Sequence, residues 1–184
     1  MSDNPLERAA LCNGSLTLSE RGRRVADVER YVMAFKAFPA RPLDFRRKDT
    51  HDKGYLLDDR LGPAYAEIVL ARVLRRAGWR AVWIDSYQGV HFWDGMPYES
   101  EETDLPEPQR RLHEKIRRAN KSRRGGCWDV WAWRGHRNVF VEAKMGHHDS
   151  IRANQVRWFQ AATGRVGLPR SSFCVAEWYL EGGV

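Results

Sequence analysis

Three residues within the stretch DVWAWRGHRNVFVEAK could do chemistry together: Asp129, Glu142 and Lys144. Gly135-His136 suits a two-residue type II′ turn with glycine first. That turn sets Trp133 against Asn138, Trp131 against Phe140 and Asp129 against Glu142. Side chains alternate along a strand, so Asp129, Glu142 and Lys144 share one face. Val130, Ala132, Val139, Val141 and Ala143 take the other. Opposed residues hold their Cβ atoms about 4.5–5.5 Å apart, close enough for two carboxylates to repel. A divalent cation offsets that repulsion, because hard ions such as Mg²⁺ take carboxylate oxygens and keep several waters. Lys144 adds a positive charge on the same face. The competing reading is a wet sheet face whose acids are solvated and whose lysine is a surface partner. Glu142-x-Lys144 is, however, the single Asp/Glu-x-Lys triplet in the chain, and it ends a strongly apolar run.

The elements that must position these residues can be read from periodicity and punctuation. Val25, Val28, Val32, Phe35 and Phe38 are spaced like one helix face over residues 24–38, with Pro39 and Pro42 to stop it. A basic connector leads to a second helix opened by Pro63 and closed by Gly78, its buried face Ala66, Leu70, Val73, Leu74 and Ala77. Residues 79–84 read as a strand and 85–106 as a long polar excursion. A short basic helix, the hairpin, a helix over about 150–163 and a last strand in SSFCVAEWYL follow. This order predicts an α/β (α+β) fold with a small mixed sheet. The same reading expects residues 1–61 to be an N-terminal helical extension packed on a core of 62–184, which carries an insertion at about 85–124.

The chain has 184 residues, a formal charge of +7 and 42% hydrophobic residues, which fits one globular domain with a proper core. No apolar run is long enough to span a membrane, and MSDNPLERAALCNGSL lacks the order of a secretory signal. Cys12, Cys127 and Cys174 are scattered and odd in number, so a disulfide framework and a zinc cage are both unsupported and a cytoplasmic setting is expected. Arginine greatly outnumbers lysine; its planar fork suits phosphate oxygens and points to a nucleic-acid partner.

Asp129, the Glu142-x-Lys144 triplet, Glu67 in AYAEIVL and Gln155 in RANQVRW together resemble the PD-(D/E)xK nuclease superfamily, closest to its VRR-type nuclease domains. The likeness covers about residues 62–180; Trp128 stands where the family's signature proline would be. The resemblance implies a restriction-endonuclease-like mixed central sheet flanked by helices, and hydrolysis of phosphodiester bonds in DNA with Mg²⁺ or Mn²⁺, most simply as an endonuclease. DNA is favoured over RNA as the partner. Asp129, Glu142 and the carbonyl of Ala143 would hold the metal, with Glu67 helping directly or through water. Lys144 would position or activate the attacking water, and Gln155 would orient Lys144 or that water. Members that cut both strands pair up, which allows for a homodimer. The alternative is a non-catalytic nucleic-acid-binding protein built on the same scaffold.

Arg117, Arg118, Arg123 and Arg124 lead into Asp129, while Arg152 and Arg157 flank Gln155. These six are the candidate backbone contacts. His147 and His148 read as solvated turn residues, and Trp131 and Trp133 as packing on the site face.

Overall fold

In a computed structural model, residues 4–39, 56–86, 89–97, 100–123, 125–146 and 149–182 are described. Among them a seven-stranded mixed sheet runs in the order β1-β2-β7-β6-β5-β3-β4. Its strands are β1 (Cys12–Glu20), β2 (Arg23–Phe35), β3 (Arg80–Asp85), β4 (His91–Trp93), β5 (Val130–Arg134), β6 (Arg137–Met145) and β7 (Phe173–Leu180). The helices are α1 (Ala66–Arg76), α2 (Glu107–Ala119) and α3 (Ala153–Gln160), the last running on into a π-helical turn, Ala161–Arg165. β7 pairs in parallel with both β2 and β6; the other pairings are antiparallel. The α3 crossover between β6 and β7 is what a parallel neighbour requires.

Helices cover both sides of the sheet. α1 packs with Val130, Ala132, Val139, Val141 and Ala143, the aliphatic face of the hairpin. The second core joins Trp131, Phe140 and Phe173 to Val156 and Phe159 of α3 and Ile116 of α2. Leu56, Leu57 and Met96 share the core of α1, so Ile68, Val69 and Ala71 are buried besides Ala66, Leu70 and Leu74, whereas Val73 of the expected face is half-buried and Ala77, at the helix end, is exposed.

The expected helix over 24–38 is a strand, and the N-terminal extension is not helical where it is described. β1 and β2 form an antiparallel hairpin that widens the same sheet. The Val25–Val28–Val32 spacing fits a helix by count, yet Tyr31 and Met33 face the α1 side while Ala26 and Val28 face the other. That alternation is period two. The missed signal is the Arg21-Gly22 turn, with φ of 51° and 75°. Two positive φ values in a row make the tight turn a hairpin favours. The β-branched residues then gain more from cross-strand packing than from a helix. The polar excursion also contributes a short strand, β4, paired with β3. Pro42 of the expected helix stop lies outside the described residues.

Candidate active site

The hairpin register is the expected one: Trp133 with Asn138, Trp131 with Phe140, Val130 with Val141. The ladder stops there, one pair short of Asp129 and Glu142. Asp129 replaces the next backbone bond with its side chain, Oδ2 accepting from the Ala143 N–H at 2.9 Å. Its own carbonyl accepts from Ile84 N–H at 2.7 Å, holding it to β3. Extended backbone sends a residue's N–H and C=O to the same side, so the Ala143 carbonyl is directed toward Asp129 as well.

Glu142 and Lys144 are nearly sealed from solvent, 1% and 6% exposed. Lys144 Nζ lies 2.9 Å from Glu142 Oε1 and 3.4 Å from Asp149 Oδ1. Gln155 sits in the first turn of α3. Its Nε2 donates to Glu142 Oε1, and its Oε1 accepts the Arg152 N–H at 2.8 Å. The one amide thus caps the helix and fixes the Glu142 rotamer. Among the described residues, Glu142 Oε2 is buried and accepts no hydrogen bond.

Burial raises the Glu142 pKa well above the usual carboxylate range; the Asp129 charge adds to the rise and Lys144 opposes it. Two carboxyls brought together out of water favour keeping one proton between them. Burial works against the Lys144 ammonium, yet Glu142, Asp129 and Asp149 together hold its pKa above the ordinary value.

Glu67 lies in the first turn of α1. A three-residue turn joins α1 to β3, and the helix runs back over β3 and β5. Its first turn reaches the end of the sheet where β5 begins, but on the aliphatic side. Among the described residues, no three His, Cys, Asp or Glu side chains are grouped to hold one metal ion. The donors brought together are Asp129, Glu142 and the Ala143 carbonyl. They are hard oxygens of the kind Mg²⁺ or Mn²⁺ accepts, and the unfilled Glu142 Oε2 fits that role.

Several contributors were not read from sequence. Asp149 pairs with Lys144. Trp128, fully buried, donates to the Gln155 carbonyl at 3.3 Å and stacks on Phe159, tying the entry of β5 to α3. Glu177 stands in register with Lys144 on the neighbouring strand, buried and held by Arg30 Nη1 at 3.0 Å and by the Tyr179 hydroxyl. An acid in the middle of FCVAEWYL was the available sign of it.

The candidate arginines separate. Arg118 is spent on Glu114 at 3.2 Å, and Arg110 and Arg111 on Glu107, all at the surface. Arg157 turns to Glu20 at 3.6 Å. The Arg152 side chain is exposed. Arg117 and Arg123 line a depression beside Cys127, and Arg123 also faces Lys121, Arg157 and Arg165 across a cleft. Arg124, His147 and His148 lie outside the described residues. Trp131 and Trp133 are core residues, as expected. Among the described residues, no helix is long and apolar enough to cross a membrane. The chain matches no known family profile, no curated protein and no solved structure.

Proposed function

We propose that this chain is a divalent-metal-dependent nuclease that hydrolyses phosphodiester bonds in DNA, with a restriction-endonuclease-like arrangement of its sheet. The observation that carries the reading is a single cluster. Two carboxylates, a lysine and a glutamine meet on one sheet face where β5 and β6 part, and one buried carboxylate oxygen is left over. Packing gives no reason to gather these groups, since burying charge is costly unless it is used or fully paired.

Asp129, Glu142 and the Ala143 carbonyl would hold Mg²⁺ or Mn²⁺, with Glu67 assisting through water from the α1 side. Such an ion polarises a phosphoryl oxygen and lowers the pKa of a bound water. The residues around it have separable tasks. Gln155 keeps Glu142 in one rotamer, so the carboxylate need not reorganise when substrate arrives. Lys144, anchored by Glu142 and Asp149, holds its proton and presents fixed positive charge where the phosphate becomes more negative. Asp129 occupies the place of a backbone acceptor, so its position is set by the sheet itself.

Purified protein should nick plasmid DNA in Mg²⁺ or Mn²⁺ and not in EDTA. Asp129→Asn and Lys144→Ala should abolish nicking while keeping the melting transition. Full activity in either variant contradicts the mechanism.

The near-complete burial of Glu142 and Lys144 favours one other reading, a non-catalytic nucleic-acid binder in which the ion pair is a closed structural lock. Melting with and without Mn²⁺ separates the two, because a ligand of the native state alone raises the melting point. The lock shows no shift and no nicking.

A further inference from the structure

A depression of about 280 Å³ opens between α2 and α3, walled by His113, Arg117, Ser122, Arg123, Cys127 and Trp158. Cys127, in its wall, lies two residues before Asp129, so the depression sits beside the chain that enters β5. Among the described residues, Arg117 and Arg123 enter no ion pair, unlike Arg110, Arg111 and Arg118 nearby. The Trp158 ring is fixed by Phe140 and Phe173, with centroids 5.1 and 6.1 Å away, and at 3% exposure it closes the floor of the depression as part of the core. His113 packs edge-on against Phe92 at 5.3 Å. Burial first, and the Arg117 charge second, lower its pKa and keep the imidazole neutral. A neutral ring that both donates and accepts suits the edge of a base better than a phosphate.

The walls thus divide by chemistry: rings and a neutral imidazole on one part, unspent guanidinium groups on another. Resting on the nuclease reading, we infer that this depression takes one unpaired nucleotide of the substrate, its base edge on His113 above the Trp158 floor and its phosphate toward Arg117 and Arg123. A base held in a duplex must be unstacked and unpaired before it can enter, whereas one in a single strand, flap or frayed end enters without that cost. Arg123 also forms a wall of the adjoining cleft of about 230 Å³, with Lys121, Arg165 and the Arg157–Glu20 pair. That cleft gives the backbone a basic path away from the site. The substrate class that follows is nucleic acid with an unpaired segment at the cut, in preference to continuous duplex.

The test is binding of the full chain in EDTA. Fluorescence anisotropy would compare a short labelled single strand with the blunt duplex of the same sequence at one fixed salt concentration. Wild type should bind the single strand at least about tenfold more tightly, the scale of one base held by a hydrogen bond together with one phosphate contact. His113→Ala with Arg117→Ala should erase that preference by weakening single-strand binding at least about tenfold more than duplex binding. Arg117 is exposed, so Arg117→Ala alone carries the test if the double variant melts early; it should lose at least half of the preference on a logarithmic scale. Equal or tighter duplex binding, no binding of either probe, or a preference untouched by the variants overturns the inference. Both arms are read without cleavage, so a failure to nick DNA leaves them standing. Metal-dependent cutting of blunt duplex with no strand preference sinks the subsite and spares the nuclease.

Discussion

Glu142 and Asp129 are brought together by strand register, and the consequence is a proton. Burial and the Asp129 charge raise the Glu142 pKa, so the native protein keeps a proton that the unfolded chain releases near its ordinary pKa of about 4.3. The sign follows from linkage: native stability from this group is fully present below about pH 4.3 and declines as pH rises toward the raised native value. Glu142→Gln removes the penalty, and its amide can donate to Asp129 where the shared proton sat. In EDTA at pH 7 the variant is expected to melt at or above wild type, while Mn²⁺ no longer raises its melting temperature. A variant melting several degrees lower in EDTA contradicts the shared-proton account. Lys144→Ala acts on a different quantity. Glu142 takes up a proton rather than stand as a bare buried charge, so the fold survives, and kcat is expected to fall about 10²–10³-fold or more with the loss of preorganised charge. Single-turnover cleavage at saturating Mn²⁺ reads it.

The thiols offer a control that needs no substrate. Burial raises the Cys174 pKa to about 12 and lifts Cys127 well above its usual value, whereas Cys12 is exposed. In native protein at neutral pH, alkylation is expected at Cys12, with Cys127 and Cys174 reacting only after unfolding. Mass spectrometry before and after denaturant checks this.

Gly126 decides how closely the loop before β5 approaches α3. Its φ is 84°, and a Cβ there would sit 2.4 Å from the Asn154 carbonyl oxygen. Gly126→Ala therefore meets both a left-handed backbone and a rigid backbone atom, and is expected to cost about 2 kcal/mol or more. Because Asn154 precedes Gln155, the same change should loosen the Glu142 rotamer and weaken Mn²⁺ binding, which calorimetry would show. The hairpin was legible in sequence because its turn and its alternation agree, and register then placed Asp129 against Glu142. Gln155 was legible only as a type in a pattern; that it caps α3 and clamps Glu142 at once depends on how the helix sits. β2 was misread because Val25, Val28 and Val32 satisfy a helical count while Arg21-Gly22, the deciding turn, carries no apolar signal. Gly126 and Trp128 act through neighbours distant in sequence that local pattern does not show, and Glu177 showed only as an acid inside an apolar strand.

Across the whole molecule, seven strands and three helices among the described residues make one sheet covered on both faces. The acids lie on the side of α2 and α3, where Arg117, Arg123, Lys121 and Arg165 also face. The formal +7 charge is therefore partly gathered near the site. Charge reversal at Arg117 and Arg123 is expected to lower the slope of log affinity against log salt by about one for each phosphate that is no longer neutralised. Reversal at Arg118, already paired with Glu114, should leave the slope nearly unchanged. Equal slopes for all three variants would mean that the phosphates bind elsewhere on the surface.

The most direct measurement is calorimetric titration of Mn²⁺ into wild type and Asp129→Asn, in two buffers of different ionisation enthalpy. Wild type is expected to take up a stoichiometric ion at its strongest site and release about one proton, with binding tightening as pH rises, and Asp129→Asn should lose that site. Equal, weak uptake by both proteins with no proton released would contradict the claim that the paired acids exist to hold a cation.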